Sequence, residues 1–81
     1  MVERVTTILQ GSFAGIELQL EEMSNGRVTG SAVWDGFDNL DQVDRQQKVR
    51  DALRKELGPG ASQVGVILTY TPDELHAMQA A

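Results

Sequence analysis

The chain contains no cysteine. That removes disulfide staples, thiolate metal ligands and a cysteine nucleophile in one stroke. A protein without disulfides suits a reducing compartment. Histidine is nearly absent too, with His76 alone. Four serines, at 12, 24, 31 and 62, have no evident base beside them, so no nucleophile–base pair emerges and enzyme activity is not expected. No stretch approaches the ~18–20 continuous apolar residues that span a bilayer. The opening residues Met1-Val2-Glu3-Arg4-Val5 lack the basic start and apolar core of a signal peptide. The expectation is a cytoplasmic protein with no membrane partner. Basic charge is also short: seven Lys and Arg stand against twelve Asp and Glu, a net charge of −5. That balance disfavours a phosphate backbone as the default partner.

What remains is a chain of 81 residues, 41% hydrophobic, with room for one domain. A chain this short buries only ~60–65% of its unfolded surface, so its core must be two-layered. Val2, Val5 and Leu9 fall at helical spacing over residues 2–9, and Gly11 reads as the stop. Ile16, Leu18 and Leu20 alternate with Glu17, Gln19 and Glu21, the period of a half-buried strand. Asn25-Gly26 predicts a tight hairpin turn with positive backbone dihedrals. Val28, Ala32 and Trp34 continue the alternation, and Gly30 marks a place where another backbone approaches closely.

A long helix is predicted from Asp38 or Asn39, with Asn39 and Gln42 in the form of a capping box. Val43, Val49, Leu53 and Leu57 form its apolar stripe, with Leu40 and Ala52 at the margins. Asp41–Arg45, Asp44–Lys48 and Asp51–Lys55 are acid-before-base pairs on its exposed side. Gly58-Pro59-Gly60 ends it. Val64, Val66, Leu68 and Tyr70 then alternate with Gly65, Ile67 and Thr69, predicting a third strand buried on both sides. Thr71-Pro72-Asp73-Glu74 is a strong helix start, with a threonine cap, proline in the first turn and glutamate completing the box. The order α-β-β-α-β-α implies an α+β fold: a three-stranded mixed sheet with helices on one face.

This order, with Phe37, Arg45, Val49 and Thr71-Pro72-x-Glu74 at matching intervals and Gly26 and Val28 at the turn into the second strand, resembles the BolA-like family. The resemblance covers residues 2–77 and implies one BolA-like domain over 1–81 with a fold like the type II KH arrangement. It also implies a non-catalytic partner of monothiol glutaredoxins in iron–sulfur and iron homeostasis. In such pairs a shared 2Fe-2S cluster takes a histidine from just before the third strand, and a cysteine or histidine from the loop between the first two strands. Here those positions are Gln63 and Ser24-Asn25-Gly26-Arg27. An amide or guanidinium does not replace the donors iron–sulfur sites demand. The expectation is therefore a docking surface around Arg27, Gln46, Gly60, Gln63 and Val64, with no cofactor held by this chain and no metal ligand of its own.

Other constellations have plainer readings. His76 is expected on the solvent side of the last helix. Asp35, Asp38, Asp41 and Asp44 recur every third residue without the spacing of a calcium loop; Asp41 and Asp44 read as first-turn charges and ion-pair donors, and the series as structural or solvated. Gln46 falls within the apolar stripe, where a buried amide requires a hydrogen-bond partner. Arg45, Arg50, Arg54, Lys48 and Lys55 would be the basis of a nucleic-acid-binding alternative. They are interleaved with acids, and no two glycines stand three apart to form the Gly-x-x-Gly clamp of KH domains. A further alternative is a homo-oligomer anchored by Trp34 or Phe13.

Overall fold

A computed structural model describes residues 1–80. Helix α1 (Val2–Ser12) leads into the hairpin of β1 (Glu17–Glu22) and β2 (Val28–Val33). A 3-10 turn at Asp35–Phe37 precedes α2 (Gln42–Leu57), and a second 3-10 segment, Gly58–Gln63, delivers the chain to β3 (Val64–Tyr70) and α3 (Pro72–Ala80). The sheet order is β1-β2-β3, with β1 antiparallel and β3 parallel to the central β2. The fold is α+β with a three-stranded mixed sheet, as the sequence predicts.

The core lies between the sheet and the two helices α1 and α2. Val5 and Leu9 of α1, Val28 and Ala32 of β2, Phe37, Val49 and Leu53 of α2, and Ile67 of β3 are all buried there. Helix α1 runs through Gly11 rather than stopping at it, since Gly11 does not take the positive φ of a helix stop. The break comes at Phe13, which turns extended and buries its ring, followed by Gly15 at φ +84°. Gly30 behaves as predicted: its φ is +153° and a side chain there would run into the Gln19 carbonyl of β1.

Four local expectations need correcting. The hairpin is not closed by two residues of positive φ; only Gly26 has one, at +84°. Met23 and Arg27 are bonded (Met23 N–H to Arg27 O, 2.7 Å), and Gly26 N–H donates back to Met23 O at 2.8 Å, leaving a loop of Ser24, Asn25 and Gly26. That geometry is a turn followed by a glycine bulge. Helix α2 starts later than predicted. Asp41 is its cap, its side chain accepting from Asp44 N–H at 2.8 Å, while Asn39 sits at φ +66° in the preceding loop.

The inward face of α2 is also not the one the apolar residues suggest. Val43 is 75% exposed. Stepping back from Leu53 and Val49 by helical intervals reaches Gln46, Arg45 and Gln42, and these polar residues turn toward the sheet. Val43 lies about 120° round the helix from Val49. Finally, β3 is buried on one side only. Ile67 and Thr69 face the core, while Val66 and Leu68 are 65% and 50% exposed on the helix-free face. The register explains it: Val28 pairs with Val64 but Gly30 pairs with Ile67, so β3 carries one extra residue there. A one-residue slip reverses which side every later residue faces.

Candidate functional site

Phe37, Arg45 and Thr71–Glu74, which carry most of the family resemblance, gather at one end of the sheet, where β2 and β3 finish, while Gly26 and Val28 lie at the other. Phe37 is fully buried, and the Arg45 guanidinium lies 5.9 Å from its ring centroid. Arg45 is itself only 5% exposed. Its Nε donates to Leu40 O at 2.9 Å, and its two terminal nitrogens grip Glu74 at 2.6 and 2.9 Å, a two-pronged charge-assisted contact. Glu74 also accepts from Thr71 N–H at 3.0 Å, while Thr71 Oγ1 accepts from Glu74 N–H at 3.1 Å. The predicted capping box forms, and Arg45 locks it to α2. The paired Arg45 and the Thr71 amide hold the Glu74 carboxyl at about 2, and the same contact raises Arg45 above its ordinary value. Asp41 does not pair with Arg45, because Asp41 caps the helix and Arg45 points inward.

Polar groups on α2 extend this anchoring along β3, an edge strand. Gln42 and Thr69 exchange two hydrogen bonds: Gln42 Nε2 donates to Thr69 O at 3.1 Å, and Thr69 Oγ1 donates to Gln42 Oε1 at 2.7 Å. Gln46 Nε2 donates to Ile67 O at 2.8 Å, which satisfies the amide the sequence left in need of a partner. The sequence suggests a capping-box role for Gln42 with Asn39; its partner is instead Thr69, 27 residues away. Of the candidate oligomer anchors, Phe13 is committed inside the protein and Trp34 is half-buried against it. Phe13 is buried, its ring 4.9 Å from Trp34, and Trp34 Nε1 donates to Ala14 O at 2.8 Å.

The opposite end of the sheet is where the docking residues were predicted. Because β2 and β3 are parallel and Val28 pairs with Val64, the residues just before them lie side by side. Arg27 closes the hairpin loop and Gln63 closes the second 3-10 segment. Ser24, Asn25, Arg27 and Gln63 are exposed, and Gly26 and Gly60 are half-buried. Gln46 and Val64 lie a little further in, where both line a groove of about 420 Å³ between α2, the Gly58–Gln63 segment and the start of β3. Around these positions hydrogen bonding is local: Asn25 Oδ1 accepts from Arg27 N–H, and Ser62 Oγ donates to Pro59 O.

The donor set at this end does not fit a 2Fe-2S cluster. It consists of amides, a hydroxyl and a guanidinium, none of them a soft or imidazole ligand. His76 offers no rescue. It is on α3, beyond the far end of β3, and the strand's six residue steps separate the two ends by about 20 Å. Among the described residues no three His, Cys, Asp or Glu side chains gather as a metal group. Asp35 opens the short 3-10 turn, Asp38 follows its end, Asp41 caps α2 and Asp44 is in its first turn, so the aspartate series is spread over separate elements. Among the described residues no helix is long and apolar enough to cross a membrane.

No protein-family model and no curated protein matches the sequence. Solved structures do match. BolA1 from Arabidopsis thaliana aligns at a TM-score of 0.75 with 27% identity, covering 89% of this chain and 92% of that one. The BolA domain of SufE1 from the same plant aligns at 0.73 with 25% identity, covering 89% and 92%. A bol-like protein from Babesia bovis aligns at 0.68 with 22% identity, covering 95% and 91%, and supports the fold alone. With the α-β-β-α-β-α order and these likenesses, the protein has the BolA-like fold, and the positions matched in sequence to that family's metal ligands hold Gln63 and a loop lacking cysteine and histidine.

Proposed function

We propose that this protein is a non-catalytic, cytoplasmic adaptor that docks a monothiol-glutaredoxin-like partner and donates no ligand to the partner's 2Fe-2S cluster. The observation that carries the reading is the Val28–Val64 pairing, which sets the hairpin loop Ser24–Arg27 beside the Gly58–Val64 segment at one sheet end. In BolA-like proteins those two elements frame the shared cluster. Here the frame is retained and the donors are replaced. The similarity to a BolA domain within SufE1 adds support, since there the fold serves as one part of another protein. A docking role without ligation keeps the contact surface and loses only the metal bonds.

The test is visible absorption combined with calorimetry, using a monothiol glutaredoxin in its apo and cluster-loaded forms. The proposal expects binding of both forms with equal affinity and no change in the cluster's spectrum. Arg27→Cys together with Gln63→His places a thiolate and an imidazole on neighbouring strand starts, and the expected result is an altered spectrum on mixing with loaded glutaredoxin. Absence of binding by both forms overturns the adaptor reading. A spectral change with the unaltered protein overturns the claim that it donates no ligand.

A further inference from the structure

The groove beside the docking end has a chemistry of its own. Its floor is apolar, made by Val49 and Leu53 of α2 and Ile67 of β3, and Gly65 opens its wall at the point where β3 carries its extra residue. A bulge of this kind interrupts strand pairing and often re-aims the chain beside a binding site. Along one rim stand Arg50 and Arg54, both exposed. Among the described residues neither guanidinium takes part in a side-chain hydrogen bond or ion pair; the ion pair that does form uses Arg45. Two unengaged cations a turn apart over an apolar trough are conspicuous in a protein of net charge −5. They fit a ligand that brings carboxylates and an apolar group together.

Spacing narrows the ligand further. Residues four apart on a helix are separated by about 6 Å along its axis. In an extended peptide, side chains two residues apart lie on one side about 6.7 Å from each other. An acidic–apolar–acidic strand therefore offers its two carboxylates to Arg50 and Arg54 and turns the middle side chain toward Val49, Leu53 and Ile67. The volume, about 420 Å³, lies within the range of pockets that hold ligand-sized groups. Single-stranded nucleic acid would bring anionic charge as well, but it is held by stacking its bases on aromatic side chains or guanidinium planes, or in KH domains by a Gly-x-x-Gly clamp on its backbone, and this chain has no such glycine pair. None of the residues lining the groove is aromatic.

We infer that the groove between α2 and the bulged start of β3 binds an extended peptide segment of alternating acidic and apolar residues, through Arg50 and Arg54 at its rim. The inference deepens the adaptor reading, since it names the chemistry of a partner segment next to the docking end, but it stands on the groove alone. Its test is a backbone amide NMR titration with the N-acetylated peptide Gly-Glu-Leu-Glu-Val-Glu-Gly. Controls are the same peptide with lysine for glutamate, and a ten-nucleotide oligothymidylate. The acidic peptide is expected to shift Val49, Leu53, Gly65 and Ile67. Arg50→Glu with Arg54→Glu, both on the exposed side, is expected to weaken binding on the order of tenfold or more. Added salt is expected to weaken it too. No shifts with the acidic peptide, shifts indifferent to the double variant, or equal binding of the lysine peptide each overturn the inference. Binding of the oligonucleotide in its place makes the groove a nucleic-acid site and also overturns it. A glutaredoxin that still shifts Ser24–Arg27 under those outcomes leaves the adaptor reading intact, so the two fail separately.

Discussion

The two ends of the sheet are built on opposite principles. Where β2 and β3 finish, a buried guanidinium, a carboxylate, a threonine cap and an aromatic ring are bound to one another, and Arg45 touches four other parts of the chain. Where the same strands begin, Arg27, Gln63, Ser24 and Asn25 are exposed and bonded only locally, if at all. At the first end the polar groups of Arg45, Glu74 and Thr71 are engaged with one another. The second has a preserved frame and changed side chains. The residues that make this sequence look BolA-like are therefore mostly those of the closed end, and they hold the architecture. Whether the chain keeps a BolA-like role is decided at the other end, where the resemblance in residue type is weakest.

Substitutions separate the ends by the size of their effects. Arg45→Ala is expected to be the most damaging, on the order of 2 kcal/mol, because it empties a buried site, breaks a part-buried ionic contact and leaves Leu40 O without its donor. Urea unfolding measures it as a lowered midpoint. Thr71→Ala removes the α3 cap and should cost about 1 kcal/mol by the same method. Next comes Val43→Gln, which the apolar pattern of α2 would make harmful. The structure leaves Val43 exposed, so the change should stay within about 0.5 kcal/mol of zero. Gln63→His at the open end should also stay within about 0.5 kcal/mol, and a loss as large as that of Arg45→Ala would erase the contrast between the ends.

Acid sharpens the comparison further. Glu74 has a folded value of about 2 against an ordinary 4.5, so its contribution is complete above 4.5 and is lost as pH falls through about 2. Lowering the pH from 5 to 2 should therefore shrink the stability difference between the unaltered protein and Glu74→Gln, followed by urea midpoints at each pH. A difference that stays constant over that interval would mean that the latch does not hold the carboxyl in its ionised form.

Much of this was legible in the sequence wherever the cause is local. The alternation of the two hairpin strands, the close approach at Gly30 and the Thr71–Glu74 box each depend on local pattern, and each formed as predicted. The errors come from causes at a distance. Arg45 faces inward because its partner, 29 residues later, waits there, and an apolar stripe through Val43 could not reveal that. Val66 and Leu68 face solvent because one residue too many lies between Val64 and Ile67 for the opposing span of β2. Asp41 displaced Asn39 as the cap, since Asn39 was needed at positive φ to bend the loop behind Phe37. The groove rim of Arg50 and Arg54 was also hidden. On the sequence they are two cations among interleaved acids, and only the fold shows that they stand unengaged over an apolar floor.

The most direct test of the account is a backbone amide titration of the unaltered protein with a monothiol glutaredoxin, first apo and then cluster-loaded. The account predicts shifts confined to Ser24–Arg27 and Gly58–Val64, the same in both forms, with Phe37, Arg45 and Thr71–Glu74 unmoved. A spectrum undisturbed by either form, or shifts centred on the Arg45 end, would contradict it.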